Sequence, residues 1–548
     1  MLILLLAIFP NPALAQSRGA VATSEAFASV ATAGILEKGG NAIDAAVAAS
    51  FALAVTLPAA GNLGGGGFLL YRSKKGQSYF LDFREIAPAA AFSEMYLDSD
   101  GKPNPSASRL GWKAVGVPGS VFGMAEAHRR WGRLSWEQVL APAIWLADAG
   151  FLISSSQAKG LTRVAAQLAK DPLAASIFLQ SNGQAWSQGH RLRQPLLAAT
   201  LRSIAKNGES VFRSGPVVEE ILAASDAGGG ILQAQDFRDY QPAYRPVHTF
   251  NWQGCEIYTV SPPSSGGIFL QQTLQSLTHP KLITEGPQSA WTIQCIGEAT
   301  SIAFKDRNRW LGDPAGFDFP LIDLVAKDYL ADRRKRISGS RFTRGDEPPE
   351  FPFLESKETT HYSVMDGEGG AVAVTTTLNG GYGAKVMAPG GFFMNNEMDD
   401  FAVAPGVANL YGLVQGKYNA VKAGRRPLSS MTPTIVVKNG RVDAVIGSPG
   451  GPTILTTVMQ VLLNRYLFKM NPATAVAFPR FHRQDLPEKI SFEAGRIPSS
   501  QREHFRQLGQ PIESVGGLGD VNAIFLWKGE WQAFADPRRQ GLAISGIR

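Results

Sequence analysis

Two seven-residue runs of β-prone residues, Thr359-Thr360-His361-Tyr362-Ser363-Val364-Met365 and Ala371-Val372-Ala373-Val374-Thr375-Thr376-Thr377, are separated only by Asp366-Gly367-Glu368-Gly369-Gly370. A spacer so short, and so rich in Gly and acidic residues, leaves the two runs little choice but to pair as an antiparallel hairpin. With the loop centred on Glu368, Thr359 falls opposite Thr377, and directly opposed residues hold their Cβ atoms about 4.5–5.5 Å apart. Two hydroxyl groups therefore meet at the open end of the hairpin. Taken alone, a Thr–Thr pair is ordinary β-propensity; it becomes a chemical candidate only in company with other signals.

The remaining chain supplies the body around that hairpin. Its 548 residues are 44% hydrophobic and 18% charged, enough apolar surface for a large core and too little charge for a disordered chain. Two cysteines exclude a disulfide framework and a cysteine-rich zinc site; Cys255 and Cys295 read as two buried thiols or as one disulfide. The net charge of +7 is spread along the sequence, and the basic run Arg333 to Arg336 lacks the interleaved aromatics of a nucleic-acid surface. Ser24 to Thr56 is helical in pattern, broken at Glu37-Lys38-Gly39-Gly40, with Gly39 and Gly40 suited to a helix C-cap and Asn41, followed by Asp44, suited to an N-cap. The glycine run Gly61 to Gly67 opens into a strand that Tyr79 to Phe83 can partner; helices dominate Val121 to Phe212; Cys255 to Val260 is a further strand; Arg333 to Glu358 reads as a linker.

Met1 to Ala15 reads as a signal peptide, with an apolar stretch and Ala13-Leu14-Ala15 as its cleavage site but no basic residue at its start; a buried N-terminal strand is the alternative. No stretch has the roughly 18 uninterrupted apolar residues of a membrane span. The expected location is the periplasm or the exterior.

Common catalytic templates are absent: there is no G-x-S-x-G elbow, phosphate-binding loop, H-E-x-x-H helix or dinucleotide fingerprint, and the seven histidines show no metal-ligand spacing. A hydroxyl nucleophile then needs another base. Cutting the chain before Thr359 would supply one, because a free α-amine titrates near pKa 7.7–8.0 and is partly unprotonated at neutral pH.

The run from Thr359 to Gly383 (TTHYSV, then GGAVAVTTTLNGGYG) resembles the signature of the gamma-glutamyltranspeptidases, or glutathione hydrolases. The resemblance continues in GGNAIDAAVA (Gly39–Ala48), LDFREIAP (Leu81–Pro88), PPSSGG (Pro262–Gly267), DRNRWLGDP (Asp306–Pro314), NNEMDDF (Asn395–Phe401), RPLSSMTPT (Arg426–Thr434), GSPGG (Gly447–Gly451), PRFHRQ (Pro479–Gln484) and ADPRRQG (Ala535–Gly541). It implies an α+β fold, the four-layer αββα sandwich of the N-terminal-nucleophile hydrolases. It also implies a precursor that cuts itself into a large subunit, residues 16–358, and a small subunit, residues 359–548, intertwined as one heterodimer.

Residue by residue, the resemblance implies Thr359 as nucleophile, Thr377 as its supporting hydroxyl, and Gly450 and Gly451 as oxyanion hole. Arg84, Ser429 and Ser430 are implied as ligands of a substrate α-carboxylate; Asn379, Glu397 and Asp400 as ligands of its α-ammonium; Tyr411, in the loop Pro405 to Arg425, as the lid. Glutathione and other γ-glutamyl compounds are the implied donors and amino acids or dipeptides the acceptors, with no cofactor. Gly370 and the pair Gly380-Gly381 depart from the family's more polar residues, in turns, and Glu397 stands where some relatives carry Gln. Two rival readings are a glutaryl-cephalosporin-acylase-like amidase of the same superfamily and an uncleaved homologue that only binds.

Overall fold

The structure is a computed structural model and describes residues 18–315, 320–339 and 359–548. The leader read over Met1 to Ala15, residue Glu358 and most of the linker lie outside the described residues.

Two antiparallel sheets form the centre. The first has seven strands in the order Leu542–Ile547, Gly19–Thr23, Thr359–Met365, Ala371–Thr377, Gly66–Arg72, Ser78–Asp82 and Ala243–Arg245. The second has six, in the order Glu530–Ala535, Asn522–Trp527, Arg441–Ile446, Thr434–Lys438, Cys255–Val260 and Val247–Trp252. Both sheets mix strands from before and after Thr359, so the two halves of the chain share each layer. The hairpin pairs as its spacing predicts, Thr359 with Thr377 through to Met365 with Ala371. Its loop is stiff: Asp366 Oδ1 accepts the N–H groups of Glu368 and Gly370, and Asp366 Oδ2 accepts that of Ala42.

Helices cover the outer faces. Against the seven-stranded sheet lie helices Ala26–Glu37, Ala42–Thr56, Ser120–Trp131 and Trp136–Ala149, which share one core with Val21, Leu69, Leu81, Tyr362, Val364, Val372 and Val374. The opposite face, with Phe68, Leu70, Met365 and Ala373, joins a second core with Ile257, Ile435, Val445 and Phe525 of the six-stranded sheet and the helices Gly266–Ser276, Ala290–Trp310 and Thr453–Leu462. This is the αββα layering. Cys255 and Cys295 are buried free thiols in the second core.

The helix Ala42–Thr56 is buried along its whole length, so propensity alone does not place it. Its start does. Asn41 accepts from the N–H of Ile43 and Asp44, while Asp44 Oδ2 accepts from Asn41 N at 2.9 Å, a reciprocal capping box. Upstream, Gly39 takes φ +84°, where a side chain would be strained, and closes the preceding helix.

Asn41 also donates to Trp131 O at 2.7 Å. Asn41→Ala is therefore expected to lower stability by about 1–2 kcal/mol and Asn41→Ser by much less. Urea unfolding midpoints measure this, and equal midpoints for Asn41→Ala and the parent would contradict the role of the cap.

Candidate active site

Side chains on a strand alternate between its faces. Met365, Ala371 and Ala373 enter the core shared with the second sheet, and Thr359, His361, Ser363, Thr375 and Thr377 have the same parity. The two threonines thus face the interior between the sheets, both buried, with Oγ1 atoms 3.2 Å apart. Thr377 Oγ1 accepts the N–H of Asn379 at 2.9 Å, which leaves its own proton for Thr359. His361, two residues on, is no base: burial pushes its pKa down to about 3, and its ring nitrogens are engaged by Thr375 and Ser363.

Glycines let other segments close on this strand. A Cβ on Gly65 would lie 2.1 Å from Thr377 O, and one on Gly67 2.4 Å from Thr375 O. The Asn62 amide bonds Thr377 O at 2.9 Å and anchors the strand end.

Thr359 and Thr377 border a small cavity with Arg84, Arg307, Asn379, Glu397, Asp400, Tyr411, Ser429, Ser430 and Gly451 among its walls. A larger cavity elsewhere, lined by Ser155, Lys159, Arg163, Pro537 and Arg539, contains none of these. All the residues expected from sequence meet here except Gly450, which stands one residue behind the wall. Gly450 and Gly451 have φ +133° and +56° and lead into the helix Thr453–Leu462. Among the described residues neither donates its N–H to another group. Tyr411 closes the top, its hydroxyl donating to Asn379 O at 2.8 Å and its ring packing where a Cβ on Gly451 would come within 3.1 Å.

One arrangement differs from the sequence expectation. Arg84 was assigned to one end of the substrate and Glu397 and Asp400 to the other, yet they touch. Arg84 Nη2 bonds Asp400 Oδ2 at 2.6 Å, Nη1 pairs with Glu397, and Glu85 lies at 3.8 Å. Burial disfavours the Arg84 charge, but Glu397, Asp400 and Glu85 outweigh it and raise its pKa. Burial, against the pull of Arg84, raises Glu397 well above the carboxylate range and takes Glu85 up to about 7. Ser429 is held by its carbonyl, which accepts from Ser265 N and Oγ. Arg307, which donates to Ser430 Oγ at 3.3 Å, was not singled out from sequence. It lies in the DRNRWLGDP motif, whose composition does not separate Arg307 from its neighbours.

Comparison with known proteins places these residues in a family. Residues 28–546 match the family model described as Gamma-glutamyltranspeptidase. A Pseudomonas sp. (strain A14) protein named glutathione hydrolase proenzyme is 40% identical over 539 residues, covering 96% of this chain and 94% of its own. Among solved structures, a cephalosporin acylase from Bacillus halodurans superposes with a TM-score of 0.84 at 26% identity, covering 99% of both chains. A gamma-glutamyltranspeptidase from Pseudomonas nitroreducens complexed with L-DON has a TM-score of 0.55 at 38% identity, covering 58% of this chain and 94% of that one.

Glu85 gives the site a pH signature. Its folded pKa lies above its unfolded value, so the folded state binds the proton more tightly, and the stability this proton contributes is lost as pH rises from about 4.5 to about 7. Glu85→Gln should flatten the fall in thermal midpoint across that window; parallel profiles for the variant and the parent would refute the assignment.

Proposed function

The chain belongs to the gamma-glutamyltranspeptidase family and is an enzyme that hydrolyses and transfers γ-glutamyl groups; on that premise we propose that it matures by cutting itself before Thr359 and works through a γ-glutamyl-threonine ester. The observation that carries the proposal is the Thr359–Thr377 hydroxyl pair at 3.2 Å, in one cavity with groups suited to both charges of a glutamyl donor.

In maturation, Thr359 Oγ1 attacks the Glu358 carbonyl, the chain shifts from amide to ester, and water releases residues 16–358 and a free Thr359 amine. In turnover, that amine takes the Thr359 hydroxyl proton as Oγ1 attacks the γ-amide carbon. The developing oxyanion is held by the N–H groups of Gly450 and Gly451, where loss of one such donor typically costs about 10²–10³ in rate. The C–N bond then breaks, the departing amine takes the proton, and the γ-glutamyl ester remains. Water gives glutamate; an amino acid or dipeptide amine gives the transfer product.

Recognition rests on the buried ion pair. A free glutamyl end brings one carboxylate and one ammonium. Its carboxylate takes Arg84, Ser429 and Ser430, and its ammonium takes Asp400, Glu397 and the Asn379 side chain, so alternating charges replace the direct Arg84 contacts. Tyr411 in the loop 405–425 covers the bound group. The likeness in fold to a cephalosporin acylase supports a second reading, a glutaryl amidase, but a glutaryl group offers Asp400 and Glu397 no ammonium. We further propose that Met1 to Ala15 directs export and that the mature large and small subunits stay together.

Intact mass and N-terminal sequencing of the exported protein test the maturation. Two chains are expected, the smaller starting at Thr359, with Thr359→Ala left as one inactive chain; a Thr359→Ala protein that still splits at this bond or turns over substrate defeats the nucleophile assignment. Asp400→Asn is expected to raise KM for a γ-glutamyl anilide about ten- to a hundredfold, the scale of a hydrogen bond to a charged group. Glutaryl anilide hydrolysis faster than γ-glutamyl hydrolysis would favour the amidase.

A further inference from the structure

Arg307 sits in the last turn of the helix Ala290–Trp310, is 2% exposed, and borders the same cavity as Thr359. Its partners are neutral: Nε donates to Ser265 Oγ at 3.1 Å, Nη1 to Asn308 Oδ1 at 3.0 Å and Gln415 Oε1 at 3.2 Å, and Nη2 to Ser430 Oγ at 3.3 Å. Among the described residues it has no ion pair within 4 Å, whereas Arg84 contacts three carboxylates. Burying a guanidinium without a counter-ion is unfavourable. Burial lowers its pKa to about 10, with Asp400 opposing, so it stays charged at neutral pH.

We propose that Arg307 is a positioning and specificity residue, the buried guanidinium that orients the Ser429–Ser430 pair and the covering loop toward the donor's α-carboxylate. The inference rests on the γ-glutamyl reading above and adds a residue to it. Three of these hydrogen bonds have a direction that serves the role. Because Arg307 donates to Ser430 Oγ, the Ser430 proton is left for an anion. Because it donates to Ser265 Oγ, the Ser265 proton goes to Ser429 O, joined there by the Ser265 N–H. On its other side Gln415 accepts from Arg307 and from Asn419, and its own amide donates to Asp400 O at 2.9 Å. One guanidinium therefore ties the serines, the covering loop and the backbone of Asp400. Its charge is also less neutralised than that of Arg84, so an arriving carboxylate meets net positive charge on the serine side.

Three anilide donors separate this role from a structural one: γ-glutamyl, 4-aminobutyryl (no α-carboxylate) and glutaryl (no α-ammonium), read as kcat/KM or, where turnover is slow, as inhibition constants. Arg307→Met is expected to raise KM for the γ-glutamyl donor at least tenfold with a smaller change in kcat. The preference for γ-glutamyl over 4-aminobutyryl should shrink by a similar factor, while the relative preference of γ-glutamyl over glutaryl moves the other way or holds. Arg307→Lys keeps the charge and should recover part of the loss; Ser265→Ala should show a weaker loss of the same selectivity. If Arg307→Met does not fold or split, those two variants decide. Equal losses for γ-glutamyl and 4-aminobutyryl donors, or no loss, overturn the proposal. A parent enzyme that ignores γ-glutamyl anilide overturns the functional reading instead.

Discussion

The antiparallel register that sets Thr359 against Thr377 is the constraint on which the rest depends. Shifting it by one residue would turn every side chain of the strand to the other face, exchanging Tyr362 and Val364 of the helix-side core with His361 and Ser363, of which Ser363 donates to Asn522 O of the second sheet. The hydrophobic alternation thus enforces the position of the Thr359–Thr377 pair. The same strand is flanked by Gly19–Thr23 and, through its hairpin partner, by Gly66–Arg72. Residues on both sides of the proposed cut hold it, so maturation would free an amine without releasing a layer.

Charge is the second organising element, and it works against stability. Arg84, Glu85, Glu397 and Arg307 are all buried, and such groups pay desolvation unless paired. Arg84 meets its carboxylates directly; Arg307 meets only neutral oxygens. A pocket designed only to be stable would have been apolar. On the proposed function, a zwitterionic donor needs both signs in place, and its own charges would complete a pattern that the protein alone leaves unbalanced.

The local parts of this picture were legible in the sequence because they depend on near neighbours. The hairpin follows from a five-residue spacer, the capping box from Asn41 and Asp44, and the helix end from Gly39. The resemblance named the residues that share the cavity. What stayed hidden were contacts across long stretches of chain: the meeting of Arg84 with Asp400, the hold of Asn62 on Thr377, and the fan of bonds from Arg307 to residues 265, 415 and 430. No periodicity reports such pairs, since they arise where strand order brings distant loops to one end of the sheets. The glycine run had a readable composition but an unreadable purpose, which is backbone approach to Thr375 and Thr377.

The two walls of the site are held differently. Behind Thr359, a Cβ on Gly447 would fall 2.3 Å from the His361 ring, and His361 is itself pinned by Thr375 and Ser363. The strand is therefore closely packed two residues beyond Thr359. In front, Tyr411 meets the site through its hydroxyl, which donates to Asn379 O, and through its ring beside Gly451, while its own N–H and carbonyl are bonded by Asn409 and Gln484. Asn379 holds its left-handed φ of +68° while bonding Thr377 Oγ1 through its N–H and Tyr411 through its carbonyl. Thr377 and Tyr411 thus bond to different groups of one residue, the N–H and the carbonyl of Asn379.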